Sequence, residues 1–276
     1  MKAPPLLGHA GGVFRALHDA RLGIDIDFSA LDASQIPPPL LERARETWGH
    51  RVHTELRSVA VMTRFLGDVL AAGDPLEVYT GAADAILDEV RHAALCVGVL
   101  EALGGRATLP PEEPESPDFL ALGPAERALG MAVSMLAVSE TLSVALIADL
   151  RDRATHPVIG AVLERTLADE DGHRDFGWSY VAASLERFDY EGLVFSQATV
   201  ESTLTPHLRE IAPIYARIPL GRRTLAAWPE PELAALGLLS REREALVIAN
   251  TVDGPLTERL GKVGLAPPGV SAPKSG

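Results

Sequence analysis

From Leu40 to about Arg187 the apolar residues recur at the three- and four-residue spacing of amphipathic helices. No run of alternating β-branched residues and no Asn-Gly hairpin turn interrupts them, so the pattern predicts an all-α chain. Gly and Pro mark where helices stop and start. A first long helix is expected over Leu40 to Ala72, closed by Gly73. In the next one Asp74 should cap and Pro75 should take the first helical position, with the helix running to about Leu103 and Gly104-Gly105. A third is expected from near Pro124 to around Asp152, and a fourth from near Pro157 to near Arg187.

The connections differ in length. Short turns join helices one to two and three to four. Residues 105–123 hold Pro110, Pro111, Pro114 and Pro117 among acidic side chains, which forbids a continuous helix and suits a long crossing connection. Residues 1–39, rich in Gly and Pro and ending in Pro37, Pro38 and Pro39, read as an N-terminal arm. Residues 188–276 read as an extension of two or three shorter helices with a Pro/Gly-rich tail from Ala266.

Composition narrows the classes. A chain of 276 residues can bury a substantial core without disulfides, and its one cysteine, Cys96, suits a reducing compartment, so the cytoplasm is expected. A net charge of -13 with no cluster of Lys and Arg argues against nucleic acid as a partner. No uncharged apolar run approaches the roughly 18–20 residues of a membrane span, and the N-terminus makes a poor signal peptide, so a soluble protein is expected.

The candidate chemistry lies in two pentapeptides, Asp88-Glu89-Val90-Arg91-His92 and Asp169-Glu170-Asp171-Gly172-His173. Each contains Glu-x-x-His. Positions i and i+3 share one face of an α-helix, so the carboxylate and imidazole of each pair project together. One such pair is weak evidence; two on alternate helices are far stronger. The other two long helices each offer a central carboxylate, Glu55 and Glu140. Glu140 is the only charged residue between Met131 and Ile147, and a lone carboxylate in so apolar a window needs compensation. Glu46 is the alternative to Glu55 but is less well centred. Six carboxylate and imidazole donors without clustered thiolates suit Fe or Mn better than structural zinc. His50 and His53 sit near Glu55, yet neither is one turn from it, so both read as neighbours of the site or as surface residues.

In the order Glu, Glu-x-x-His, Glu, Glu-x-x-His, the chain resembles the ferritin-like di-iron carboxylate superfamily over about residues 40–187. The first pentapeptide looks like the Asp-Glu-x-Arg-His signature of bacterial multicomponent monooxygenases; the second has Gly172 in place of the Arg. Asp169 occupies the position at which the monooxygenases and ribonucleotide reductase small subunits hydrogen-bond a His ligand, and Asp88 is its counterpart. Where the reductase subunits carry a radical tyrosine this chain has Cys96, as methane-oxidising monooxygenases do. Where the superfamily's amine N-oxygenases add a third His it has Thr166.

The resemblance implies a ferritin-like four-helix bundle with one long crossover. It implies two Fe ions, or a Mn/Fe pair, held by Glu55, Glu89, His92, Glu140, Glu170 and His173, with Asp169, Asp88 and Cys96 around them. The activity it implies is that of an O2-dependent oxidoreductase, an oxygenase or oxidase acting on a small organic substrate. Electrons would come from an external donor or reductase, because the chain lacks the cysteines for an iron-sulfur centre of its own. A homodimer is the expected assembly. An iron-storage ferroxidase and a structural-metal scaffold are the alternatives.

Overall fold

A computed structural model describes residues 4–112 and 115–269, and among the described residues the secondary structure is helical, with no strand. Pro114 of the long connection and residues 270–276 of the expected tail lie outside the described residues. The N-terminal arm folds into α1 (Gly12–Leu22) and two single helical turns, Phe28–Ala30 and Ala33–Gln35. Asp27 and Asp32 cap those turns by accepting from the backbone N–H of Ser29 and Ser34.

Helix α2 (Pro38–Ala72) starts on the triple proline, whose fixed φ suits a first helical turn, and stops at Gly73 with a φ of 75°. Helix α3 (Leu76–Ala102) follows at once and packs along α2 as a hairpin. The long connection then carries one short helix, α4 (Pro117–Ala121). At Thr108 it pairs with Leu6 of the N-terminal arm. Helix α5 (Pro124–Arg153) and helix α6 (Pro157–Arg217) form the second hairpin. Contacts of α5 with α2 and of α6 with α3 join the two hairpins into a four-helix unit.

Asp74 does not cap α3, whose N-terminal boundary falls at Pro75. It is buried instead and accepts from the Tyr180 hydroxyl at 2.8 Å and from Arg187 Nη1 at 2.6 Å, pinning the α2–α3 turn onto α6. A buried carboxylate needs such partners more than a helix end needs a cap that water can replace.

The fourth long helix breaks close to its expected end near Arg187: at Asp189 the backbone takes a φ of 52°, the chain turns, and a second helical stretch runs on to Arg217. The bend lays Val200, Leu204 and Ile211 in one apolar cluster with Ala245 and Ile248 of α8 (Arg241–Thr251), which follows the short α7 (Pro231–Ala235). A π-helical turn, Val252–Leu256, then leads into α9 (Thr257–Lys262).

Two apolar clusters fill the interior. One holds Trp48, Val52, Leu95, Leu103, Leu150 and Ile159. The other holds Phe65, Val69, Ala85, Leu136, Val138 and Val181. Helix α5 is long and apolar enough by composition to cross a membrane, but more than half of its apolar window is buried in this interior.

Within α5 the segment Ala132–Ser139 is π-helical. Hydroxyls occupy the widened turns: Ser139 Oγ donates to Ser134 O at 2.8 Å, and Thr141 Oγ1 to Ala137 O at 2.6 Å. The carbonyl of Leu136 lies so close to α6 that a Cβ built on Gly177 would stand 2.4 Å from its oxygen. Only glycine permits this approach. Gly177→Ala is therefore expected to destabilise the protein by about 1–3 kcal/mol in denaturant unfolding, as overpacked sites do. Gly160→Ala on the same helix, where a Cβ meets nothing within 4 Å, should be neutral or stabilising.

Candidate metal centre

The layer between the two apolar clusters is ionisable. Glu55 follows Val52 on α2, and Glu89 and His92 lie between Ala85 and Leu95 on α3. Glu140 follows Val138 on α5, and Glu170 and His173 lie between Leu163 and Trp178 on α6. Because neighbouring helices run in opposite senses, these positions fall at one level. All six side chains meet there.

They form two overlapping groups, Glu55, Glu89, His92 and Glu170, and Glu89, Glu140, Glu170 and His173. Within each group one ligand-type atom per residue lies within 4.8 Å of the others. Glu89 and Glu170 belong to both, so they sit between the two half-sites. His92 Nδ1 stands 3.7 Å from Glu89 and 3.5 Å from Glu170. His173 Nδ1 stands 3.5 Å from Glu89 and 3.4 Å from Glu170. Five of the six are buried, from 0% exposed at His92 to 7% at Glu140.

The opposite edge of each imidazole is fixed by a carboxylate from the other motif. His92 Nε2 donates to Asp169 at 3.3 Å, and His173 Nε2 donates to Asp88 at 3.2 Å. Arg91 Nη1 donates to Asp169 at 2.7 Å and also to Asp88, and Arg91 Nε donates to the Leu22 carbonyl at 2.9 Å. One guanidinium therefore joins both braces and ties them to α1. With Nε2–H engaged, each ring turns its Nδ1 toward the carboxylates, as a ligating imidazole must.

The electrostatics follow from this burial. Burial pushes the Glu55 carboxyl well up, with the Glu89 charge adding to it, and burial and Glu170 do the same to Glu140. Burial opposes ionisation of Glu89 too, but His173 and His92 overcome it and hold that group at about 2. Burial disfavours charged imidazoles, yet Asp169 and Glu89 raise His92 to about 10, and Asp88, Glu170 and Glu89 raise His173 to about 12. Without a cation, protons take up the excess negative charge.

Part of the site still lacks hydrogen bonds. Glu89 Oε2, His92 Nδ1, Glu170 Oε2 and His173 Nδ1 are buried and lack a hydrogen-bond partner among the described residues. Unpaired buried donors and acceptors are rare and costly. Here all four face the same space and belong to the residues shared by, or unique to, the two half-sites. The donor set fits a pair of hard to borderline cations, and the buried acidic and imidazole cluster of this all-helical chain could hold metal.

The neighbours differ in position from one another. Glu46 is exposed and outside the cluster. His53 Nε2 lies 2.8 Å from the Thr108 hydroxyl, and His50 lies exposed at the edge of a cavity. That cavity, about 390 Å³, is lined by Glu55 and Cys96 together with Trp48, Leu146, Ile147 and Leu163. Burial pushes the Cys96 thiol well above its usual range, so it is an unreactive wall of the cavity. Arg91 is a functional neighbour that the helix spacing alone does not single out; its one local signal is a cation three residues from Asp88.

Comparison with protein-family models, with curated proteins and with solved structures gives no match.

Two outcomes are expected. Asp169→Asn and Asp88→Asn should each weaken metal affinity by about 10–100-fold in chelator competition, because each frees one imidazole. Cations must also displace protons from raised carboxyls and imidazoles. Affinity should therefore rise with pH across the neutral range, with proton release on loading measurable by pH-stat titration.

Proposed function

We propose that this chain is a ferritin-like di-metal oxidoreductase that uses dioxygen to oxidise a small organic substrate, with two iron ions, or a Mn/Fe pair, as its resident cofactor. The observation that supports this reading is the set of four unpartnered buried ligand atoms facing one space from two braced Glu-x-x-His motifs. A structural ion pair would need no adjoining cavity. The cavity of about 390 Å³ against Glu55 favours a substrate-using site over a purely structural or storage role.

Each side chain then has a task. Glu55 and His92 would hold one ion, Glu140 and His173 the other, with Glu89 and Glu170 between them. When bound and reduced, the pair supplies the electrons and open coordination positions that dioxygen reduction requires. Asp169 and Asp88 keep both imidazoles oriented through that cycle. Trp48, Leu146, Ile147 and Leu163 give the substrate side an apolar wall.

Among the described residues Glu55 is the one member of the six that lines the cavity, which supports a substrate position beside the half-site of Glu55 and His92. With one cysteine in the chain, the reducing equivalents come from an external donor.

Anaerobic loading with ferrous salt should give about two ions per chain, one for each group of ligands. Admission of oxygen should then produce oxygen uptake and a transient absorption in stopped flow. Glu140→Ala and His173→Ala should each lower the metal content toward one ion or none, by elemental analysis. Retention of both ions in either variant removes that residue from the site. A large closed oligomer that accumulates ferric mineral, seen by size-exclusion chromatography, would replace the oxidase reading with storage.

A further inference from the structure

The cavity beside Glu55 contains a cation that neither the fold nor the metal layer uses up. Arg51 stands one helical turn before Glu55 on α2, so the two side chains share a face, and both line the cavity. One edge of the guanidinium is engaged: Nη2 donates to the Gly237 carbonyl at 2.7 Å, and the group lies 4.4 Å from the Trp48 ring centre. Nη1 is buried and has no hydrogen-bond partner among the described residues. A guanidinium N–H out of water and unpaired is among the costlier arrangements a protein can hold.

The rest of the cavity narrows what could complete it. Leu146, Ile147, Leu150, Val162 and Leu163 make its walls apolar, while the exposed Arg43 and Arg241 stand at its edge. In a chain with 38 acidic and 25 basic residues, three arginines line this one space against two carboxyls, Glu55 and Glu244. On the reading given above, Glu55 is engaged by metal. The remaining balance is then cationic.

We propose that the substrate is a small monocarboxylic acid with an apolar body, its carboxylate bound by Arg51 and its body lying along the leucine and isoleucine wall. This rests on the di-metal reading for what happens to the substrate, but not for how the acid is held. A carboxylate accepts from a guanidinium with charge-assisted geometry that a neutral carbonyl does not match. Its position, one turn of α2 from Glu55, fixes the acid beside the half-site of Glu55 and His92.

Calorimetry with hexanoate and benzoate, each compared with its primary amide, tests this on metal-free and iron-loaded full-length protein. The acids should bind about 10-fold or more tightly than the amides in both forms, the difference expected for a hydrogen bond to a charged group. Arg51→Gln should abolish the preference, weakening the acids about 10-fold or more and the amides much less, and Arg51→Lys should keep part of it. Equal affinity of acid and amide in the wild type overturns the proposal, as does a preference that survives in Arg51→Gln.

Because Arg51 also holds Gly237, a test on the unaltered protein is needed. In crystals soaked with 4-bromobenzoate, the bromine signal should place the carboxylate within hydrogen-bond distance of Arg51. Its location anywhere else, or its absence, defeats the assignment. Elemental analysis of the same samples separates the two readings: acid preference without bound iron sinks the di-metal site alone, and bound iron without acid preference sinks the acid alone.

Discussion

The structure is governed by the gathering of six ionisable side chains, five of them buried, in one layer across four helices, with an apolar plug on either side. Water is excluded from above and below, so charge in this layer must be balanced from within it. Two devices do so. Glu89 and Glu170 stand between two imidazoles, and Asp88 and Asp169 clamp the far edges of the same rings through a shared arginine. Four ligand-type atoms of the layer have no hydrogen-bond partner among the described residues, and a cation held there could complete the balance.

Backbone irregularities fall around this layer. The π-helical stretch of α5 ends on the residue before Glu140, and Thr141, which accepts from Trp178 at 3.1 Å, locks the exit. The widened turn lets Leu136 lie against Gly177 on α6, one turn beyond His173. In this way a distortion of one helix and the smallness of a residue on the next set the spacing at which Glu140 meets its partners. Farther out, the bend at Asp189 sends the second half of α6 onto α8, away from the layer. That division leaves the four-helix unit to hold the ionisable layer and the C-terminal helices to cover its flank.

The helical class and most helix ends were legible in the sequence, because proline and glycine act locally: Gly73 ends α2 and Pro124 and Pro157 begin α5 and α6 with no help from distant contacts. The Glu-x-x-His pairs were legible for the same reason, since three-residue spacing on a helix fixes a shared face. What depends on packing was not. Asp74 has every local feature of a helix cap, yet Tyr180 and Arg187, more than a hundred residues away, claim it. The cross-pairing of Asp88 with His173 and Asp169 with His92 requires knowing that α3 and α6 are neighbours. The cavity beside Arg51 is assembled from α2, α3, α5, α6 and α8.

The ionisable layer also constrains how the helices can lie along one another. Apolar surfaces tolerate sliding, because one leucine contacts another nearly as well after a shift, but the polar layer does not. Displacing any one helix by a single turn, about 5.4 Å, would carry its glutamate or histidine into an apolar plug and strand its partners. The layer thus acts as an axial key that makes one alignment of four otherwise interchangeable greasy cylinders far better than the next, a service it renders to folding whether or not any ion is present.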